Sequence, residues 1–150
     1  LQQLRLQEKL EIVNDTDEEA LSCYIPKILL QPILENCFSH GFKDISHKLV
    51  ISVTIKKEGR DIIFTVADNG RGMTIDELDR LAEKLSRRDM PAEHGIGLYN
   101  VNERLRLYFS DNRGHIIQSR ENEGMSVSFT IPASLDSSAV YQFKKPKKED

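Results

Sequence analysis

The alternation between Leu49 and Ala67 constrains the fold more than any other feature of this chain. Leu49, Ile51, Val53 and Ile55 fall on one side of an extended backbone, and Val50, Ser52, Thr54 and Lys56 on the other. A period of two is the signature of a strand. Lys57 to Asp61, containing Gly59, turns the chain into Ile62–Ala67, where Ile62, Phe64 and Val66 alternate again. The pair predicts an antiparallel hairpin with Asp68 at its outgoing end.

Elsewhere the period changes. After Pro26 the apolar residues Leu30, Ile33, Leu34, Cys37 and Phe38 recur at three- and four-residue steps before Gly41, which predicts an amphipathic helix with Pro32 as a kink or a delayed start. Thr74 followed by Glu77 is a capping-box pattern, and Leu78, Leu81, Ala82 and Leu85 carry that helix to about Ser86. Arg87–Gly97 reads as a mobile stretch. Leu98, Val101, Leu105 and Tyr108 mark a further amphipathic helix. His115–Arg120 and Met125–Ile131 form a second hairpin around Asn122-Glu123-Gly124, and Lys9–Asn14 reads as a short strand followed by a loop over Asp15–Glu19. Hairpins beside helices that do not alternate as βαβ units predict an α+β protein: a two-layer sandwich, one mixed and mostly antiparallel sheet covered by helices.

A length of 150 residues suits one domain. We expect it to span residues 1–133, with a polar tail over 134–150. The formal net charge of −3 argues against a nucleic-acid partner, which calls for a basic surface. Lys144, Lys145, Lys147 and Lys148 beside Pro146, Glu149 and Asp150 read as a solvated end. No apolar run approaches the roughly 20 residues that span a bilayer, so no membrane contact by this piece is expected. Cys23 and Cys37 are too few and too far apart for a zinc or dithiol motif and fit a reducing, cytoplasmic setting, with Cys37 packed as a small hydrophobe. Gln2, Gln3, Arg5 and Gln7 break any signal-peptide core.

Three short stretches have the makings of a site. Asp68-Asn69-Gly70-Arg71-Gly72-Met73 brings a carboxylate to a strand end and follows it with two glycines, which either form a plain turn or make a pocket floor that accepts hydrogen bonds from an exocyclic amine. Gly95-Ile96-Gly97-Leu98 precedes a helix, so its N–H groups either face phosphates or merely end a flexible loop. Glu35-Asn36-Cys37-Phe38-Ser39-His40 places Asn36 and His40 one turn apart on the polar side of their helix, open either to solvent or to a cleft. In a cleft, the Asn36 amide oxygen suits the octahedral shell of a Mg²⁺ that arrives with phosphates.

Taken in order, Asn36, Asp68 and Gly95 resemble the Bergerat-type ATP site shared by gyrase, Hsp90, MutL and the histidine kinases. The resemblance runs from about Leu4 to Ile131 and is strongest to the sensor histidine kinases of the YesM and LytS type. Ile25-Pro26-Lys27-Ile28-Leu29-Leu30-Gln31-Pro32-Ile33-Leu34-Glu35-Asn36 resembles their N box, Asp68–Met73 their first glycine-rich box, and Gly95–Leu105, with its Asn-Val-x-Glu-Arg-Leu continuation, their second. It implies a Bergerat fold that binds ATP and Mg²⁺. Asn36 would help hold the metal, Asp68 would read the adenine amine, Gly70 and Gly72 with Met73 would shape the base pocket, and Gly95, Ile96, Gly97 and Leu98 would close over the phosphates. Thr74–His94 would be the lid.

Two positions depart from the pattern. Ser39 stands where a basic residue is usual, leaving His40, Lys43 and Arg71 as candidates for the phosphate contact, and Glu93 replaces a usual glycine. The family passes the γ-phosphoryl to a histidine on a separate dimerisation helix and onward to a response regulator. His40, His47, His94 and His115 lack that acceptor context, so no catalytic residue is expected within this piece, which should be monomeric. A hydrolase of the gyrase or MutL kind would need a glutamate base where Pro32 stands. A degenerate docking module is the third reading.

Overall fold

The computed structural model of the chain describes residues 9–26, 29–41, 46–87, 96–109 and 115–135. Five strands make one sheet: β1 (Leu10–Thr16), β2 (Leu49–Glu58), β3 (Asp61–Asp68), β4 (His115–Arg120) and β5 (Gly124–Pro132). Their order is β1-β2-β3-β5-β4, with the β1–β2 pair parallel and the other three pairs antiparallel. The helices are α1 (Glu18–Leu21), α2 (Gln31–Gly41), α3 (Ile75–Arg87) and α4 (Ile96–Tyr108). The expected mixed, mostly antiparallel α+β sandwich is the one observed.

The register explains the layering. Val53, Val66, Val127 and Ile117 lie in one cross-strand row, and Ile55, Phe64, Phe129 and His115 in the next. These rows form the helix-covered face, where Ile51, Phe64, Val66, Val127 and Phe129 are almost fully buried with Ile33 of α2, Leu81 and Leu85 of α3, and Leu98, Val101 and Leu105 of α4. The Phe64 and Phe129 rings stack with centroids 4.9 Å apart. Such a pair adds about 0.5–1.5 kcal/mol to the burial of each ring. On the opposite face Thr65 and Ser128 share a hydrogen bond of 2.9 Å. A sheet with one apolar and one polar face needs a single covering layer, and that accounts for the two-layer architecture.

Local chemistry sets the helix ends. Leu30 C=O accepts the N–H groups of Ile33 and Leu34, so α2 starts after Leu30 and Pro32 falls in the first turn, where its missing N–H is not needed. Of the two roles weighed for Pro32, this is the delayed start. The capping box of α3 forms: Glu77 N–H donates to Thr74 Oγ1 at 3.2 Å and Thr74 N–H donates to the Glu77 carboxylate at 2.9 Å. That reciprocal pair holds Glu77 below the usual carboxylate range, with the Arg71 guanidinium as a second cause.

Two boundaries differ from the sequence reading. β1 extends through Asp15 and Thr16 because it pairs with β2 up to Ile55, and the rest of the expected loop contains α1, where Asp17 accepts the Lys57 N–H at 3.0 Å. α4 begins at Ile96, so Gly97 and Leu98 lie inside its first turn rather than before it. Among the described residues no helix is long and apolar enough to cross a membrane.

Candidate functional site

Asp68 is the anomaly in the covered face. It occupies the row of Ile51, Met125 and Ser119, continuing the buried series Ile62, Phe64, Val66, so its carboxylate points where the alternation demands an apolar side chain. Burial pushes its pKa up, against hydrogen bonds from the Gly70 N–H, the Cys37 thiol and the Met125 N–H that stabilise the ionised form. The Gly70 N–H lies 2.9 Å from Oδ1. A desolvated carboxylate costs folding free energy, and such costs concentrate where a ligand compensates them.

A cavity of about 340 Å³ opens above this carboxylate. Asn36, His40 and Gly41 of α2 line one wall, and Arg71, Gly72 and Met73 of the loop after β3 another. Leu98 of α4 and Met125 of β5 add apolar surface, and α3 contributes Glu77, Arg80, Leu81 and Lys84. The structure therefore brings Asn36, His40, Asp68, Arg71, Gly72, Met73 and Leu98 around one space. Lys43 and Gly95, along with Glu93 and His94, lie outside the described residues.

The glycines set how closely the elements approach. A Cβ on Gly70 would meet the Gly41 Cα at 2.5 Å, so α2 abuts the loop after β3. A Cβ on Gly97 would meet the Pro32 carbonyl oxygen at 2.5 Å and Asn36 Nδ2 at 2.6 Å, so Gly97 seats α4 against the asparagine that faces the cavity. Ile96 stands beside it at the start of α4. Gly72 has φ of +65°, and a Cβ there would fall 2.0 Å from the Arg120 carbonyl oxygen. The loop is thus pressed onto the β4–β5 turn, where Met73 N–H donates to Ser119 Oγ at 2.9 Å and Asn122 N–H donates to the Arg71 carbonyl at 2.6 Å. Asn69 closes the other side: its Oδ1 accepts the Val50 N–H at 2.7 Å and its Nδ2 donates to the Lys48 carbonyl at 3.1 Å.

Several of these residues escaped the sequence reading. Arg80 and Lys84 share one face of α3, an i, i+4 spacing that lies within the expected Thr74–His94 lid but is not singled out by the sequence reading. Ser119 and Gly124 support the loop from across the sheet, which no local pattern announces. Arg71, a phosphate candidate, donates to Glu77 at 2.9 Å and so ties the loop to the start of α3. Among the described residues no group of three or more His, Cys, Asp or Glu side chains could hold a metal ion. The one donor proposed toward a metal, the Asn36 amide, fits a cation whose remaining ligands come from a bound molecule and water.

Comparison with known proteins adds to this geometry. Residues 26–135 match the family described as histidine kinase-, DNA gyrase B- and HSP90-like ATPase. The sensor histidine kinase YesM of Bacillus subtilis is 34% identical over 132 residues, which are 88% of this chain and 21% of that protein. The sensor histidine kinase YpdA of Escherichia coli is 32% identical over 88% of this chain and 22% of its own. The chain therefore spans about a fifth of the length of these relatives. Among solved structures, the histidine kinase domain of the Erythrobacter litoralis blue-light activated kinase aligns over 91% of this chain and 57% of its own with a TM-score of 0.58 at 15% identity. The nucleotide-free catalytic domain of the histidine kinase ThkA aligns over 89% of this chain and 85% of its own with a TM-score of 0.54 at 16% identity. At those identities the likeness is one of fold.

Proposed function

The chain belongs to the histidine kinase-, DNA gyrase B- and HSP90-like ATPase family, and on that premise we propose that it is the ATP-binding catalytic domain of a bacterial sensor histidine kinase of the YesM and LytS type. The observation that carries this reading is the Asp68 carboxylate, held ionisable between Ile51 and Met125 at the floor of the cavity. Its free lone pairs accept from an exocyclic amine, as adenine presents, while Met73, Leu98 and Met125 offer apolar surface to the ring. Gly72 lets the backbone approach the base without a side chain in the way.

The nucleotide's phosphates would extend toward α4 and the cavity face of α3. Asn36 would complete the shell of a Mg²⁺, which neutralises charge on the phosphates as the γ-phosphoryl leaves. Arg80 and Lys84 take the place of the basic residue missing at Ser39. The acceptor is a histidine on the kinase's dimerisation helix, with a response regulator downstream; this domain contributes positioning and charge, which is most of what phosphoryl transfer asks of a protein. A hydrolase is not favoured: Pro32 occupies the turn before Asn36, and Glu35 is exposed and accepts from Gln31 Nε2 at 2.8 Å.

Calorimetry with Mg-ATP is the test. Saturable binding with no covalent label from γ-labelled ATP is the expected result. Absence of binding by the folded chain would leave the docking-module reading, and label on the chain itself would show an internal acceptor.

The two lid cations can be tested separately from adenine recognition. An Arg80→Ala, Lys84→Ala double variant is expected to bind Mg-ATP roughly tenfold more weakly through lost charge-assisted contacts, with adenosine affinity unchanged. Equal losses for both ligands would place the two side chains at the base instead.

A further inference from the structure

β4 puts an imidazole where the covered face calls for an apolar side chain. His115 continues the row of Ile55, Phe64 and Phe129, and its Nδ1 is buried with no hydrogen-bond partner among the described residues. Buried polar atoms are almost always paired, so an orphan marks a place where something else can bind. That atom borders a second cavity, of about 470 Å³, bounded by α3, α4 and β4. Asn102 of α4 lines it too and, at 3% exposure, is the one buried polar residue among those described. Leu78 and Leu85 of α3 and Ile117 of β4 add apolar walls, and the exposed Arg106 of α4 brings a cation to the mouth. The Arg106 Nε lies 4.0 Å from Glu103 Oε1, too long for a hydrogen bond.

We propose that this cavity is a second ligand site, taking a small carboxylate with an apolar body, and that α3 couples it to the nucleotide cavity. A carboxylate head between Arg106 and His115 accepts hydrogen bonds from both and from the Asn102 amide, while the apolar body lies against Leu78, Leu85 and Ile117. The volume suits a small molecule, whose pockets run from about 300 to 1,000 Å³. Asp79 is the acid on the lining, but it is exposed, as Ala82 and Ser86 are, so solvent screens it from an anion bound deeper. Burial, and secondly the charge of Arg106, hold His115 below the usual histidine range, and a bound carboxylate offsets both.

The two cavities share one wall. Leu78, Ala82 and Leu85 line the second and Glu77, Arg80, Leu81 and Lys84 the first, and at about 3.6 residues per turn these sets occupy different sides of α3. A ligand that holds α3 against β4 and α4 therefore also holds the side that carries Arg80 and Lys84. The coupling rests on the nucleotide reading of the first cavity; the site itself does not.

The probes are hexanoate, phenylpropionate and indoleacetate, with acetate as the head alone and phenylpropanol as a body without charge. NMR of the His115 ring and the Ile117 methyls follows the cavity directly, without nucleotide. At least one of the three carboxylates is expected to shift both signals saturably, to raise the His115 pKa, and to bind about fivefold or more tighter than acetate or phenylpropanol. Affinity should rise as pH falls from about 7.5 to 5.5, because the carboxylate favours the imidazolium. Asp79 of α3 and Arg106 and Glu103 of α4 are the other charged groups at or beside the cavity, and His115→Gln isolates the ring's part by removing the pH dependence. Arg106→Met, an exposed change that leaves the core intact, should weaken binding about fivefold or more. With the tightest probe at saturation, Mg-ATP affinity is expected to rise about threefold to tenfold, and Mg-ATP to tighten the probe by the same factor.

No saturable shift at His115 and Ile117 from any of the three carboxylates, or phenylpropanol binding as tightly as phenylpropionate, would overturn the site. Probe binding that leaves Mg-ATP affinity unchanged would overturn the coupling. Probe binding by a folded chain that takes no ATP would refute the nucleotide reading and leave the second site standing.

Discussion

Asp68→Asn is expected to leave the chain folded and to lower its affinity for Mg-ATP by about 30- to 150-fold, the equivalent of about 2–3 kcal/mol for one charge-assisted hydrogen bond replaced by a mismatch. The asparagine side chain has nearly the shape of the aspartate. Its amide oxygen can go on accepting the Gly70 N–H, which leaves the NH₂ directed at a ligand amine, donor against donor. The fold should not suffer. Burial raises the pKa of Asp68, so its folded pKa lies above its unfolded one and ionisation at neutral pH works against folding. As pH falls through that raised value the folded state takes up the proton first, and stability attributable to this group rises. A neutral amide removes the penalty at every pH, and the variant should match or exceed wild type in thermal stability at pH 7 and lose the wild type's gain on mild acidification. Calorimetric titration and thermal unfolding check both halves. Binding within threefold of wild type would mean that Asp68 does not read the base.

Much of this fold was legible because its information is local. Alternation in Leu49–Ile55 and Ile62–Val66 defines two strands and the face they bury, and the Thr74–Glu77 spacing announces a cap that forms as drawn. Asp68 stood out for a local reason too: it is a carboxylate at a strand end with Gly70 and Gly72 following at once. What was not legible depends on which elements become neighbours. Lys9–Asn14 read as a strand, yet nothing in it names β2 as a parallel partner, since Ile12 and Val13 remain exposed at the sheet edge and alternate only weakly. Ser119 and Gly124 matter to the loop after β3 because β5 pairs with β3 and carries the β4–β5 turn beneath it. Arg80 and Lys84 become site residues through the rotation of α3, fixed by Leu81 and Leu85 entering the core.

Gly124→Ala should be strongly destabilising. Gly124 has φ of +98°, a conformation that an alanine enters only under strain, and the added Cβ would lie 1.9 Å from the Asp68 carbonyl oxygen, 2.7 Å from its carbon and 2.8 Å from the Asn69 Cα. All three are backbone atoms, so no rotamer change makes room. β5 would have to draw away from β3 at the point where Met125 faces Asp68, disturbing the N–H that helps hold the carboxylate and the seat of the Gly72 loop. Strain and overpacking together are expected to cost on the order of 3–5 kcal/mol of stability. Under conditions where the variant is still folded, Mg-ATP affinity should fall as well. Gly59 is the control, because its φ of +59° carries similar conformational strain but nothing lies within 4 Å of an added Cβ. Gly59→Ala should cost only about 1 kcal/mol and leave Mg-ATP affinity unchanged. Equal destabilisation by the two substitutions in urea unfolding would show that backbone conformation alone sets the cost. A much larger loss at Gly124, accompanied by weaker binding, would show that the close approach of β5 to the end of β3 holds the Asp68 carboxylate in place.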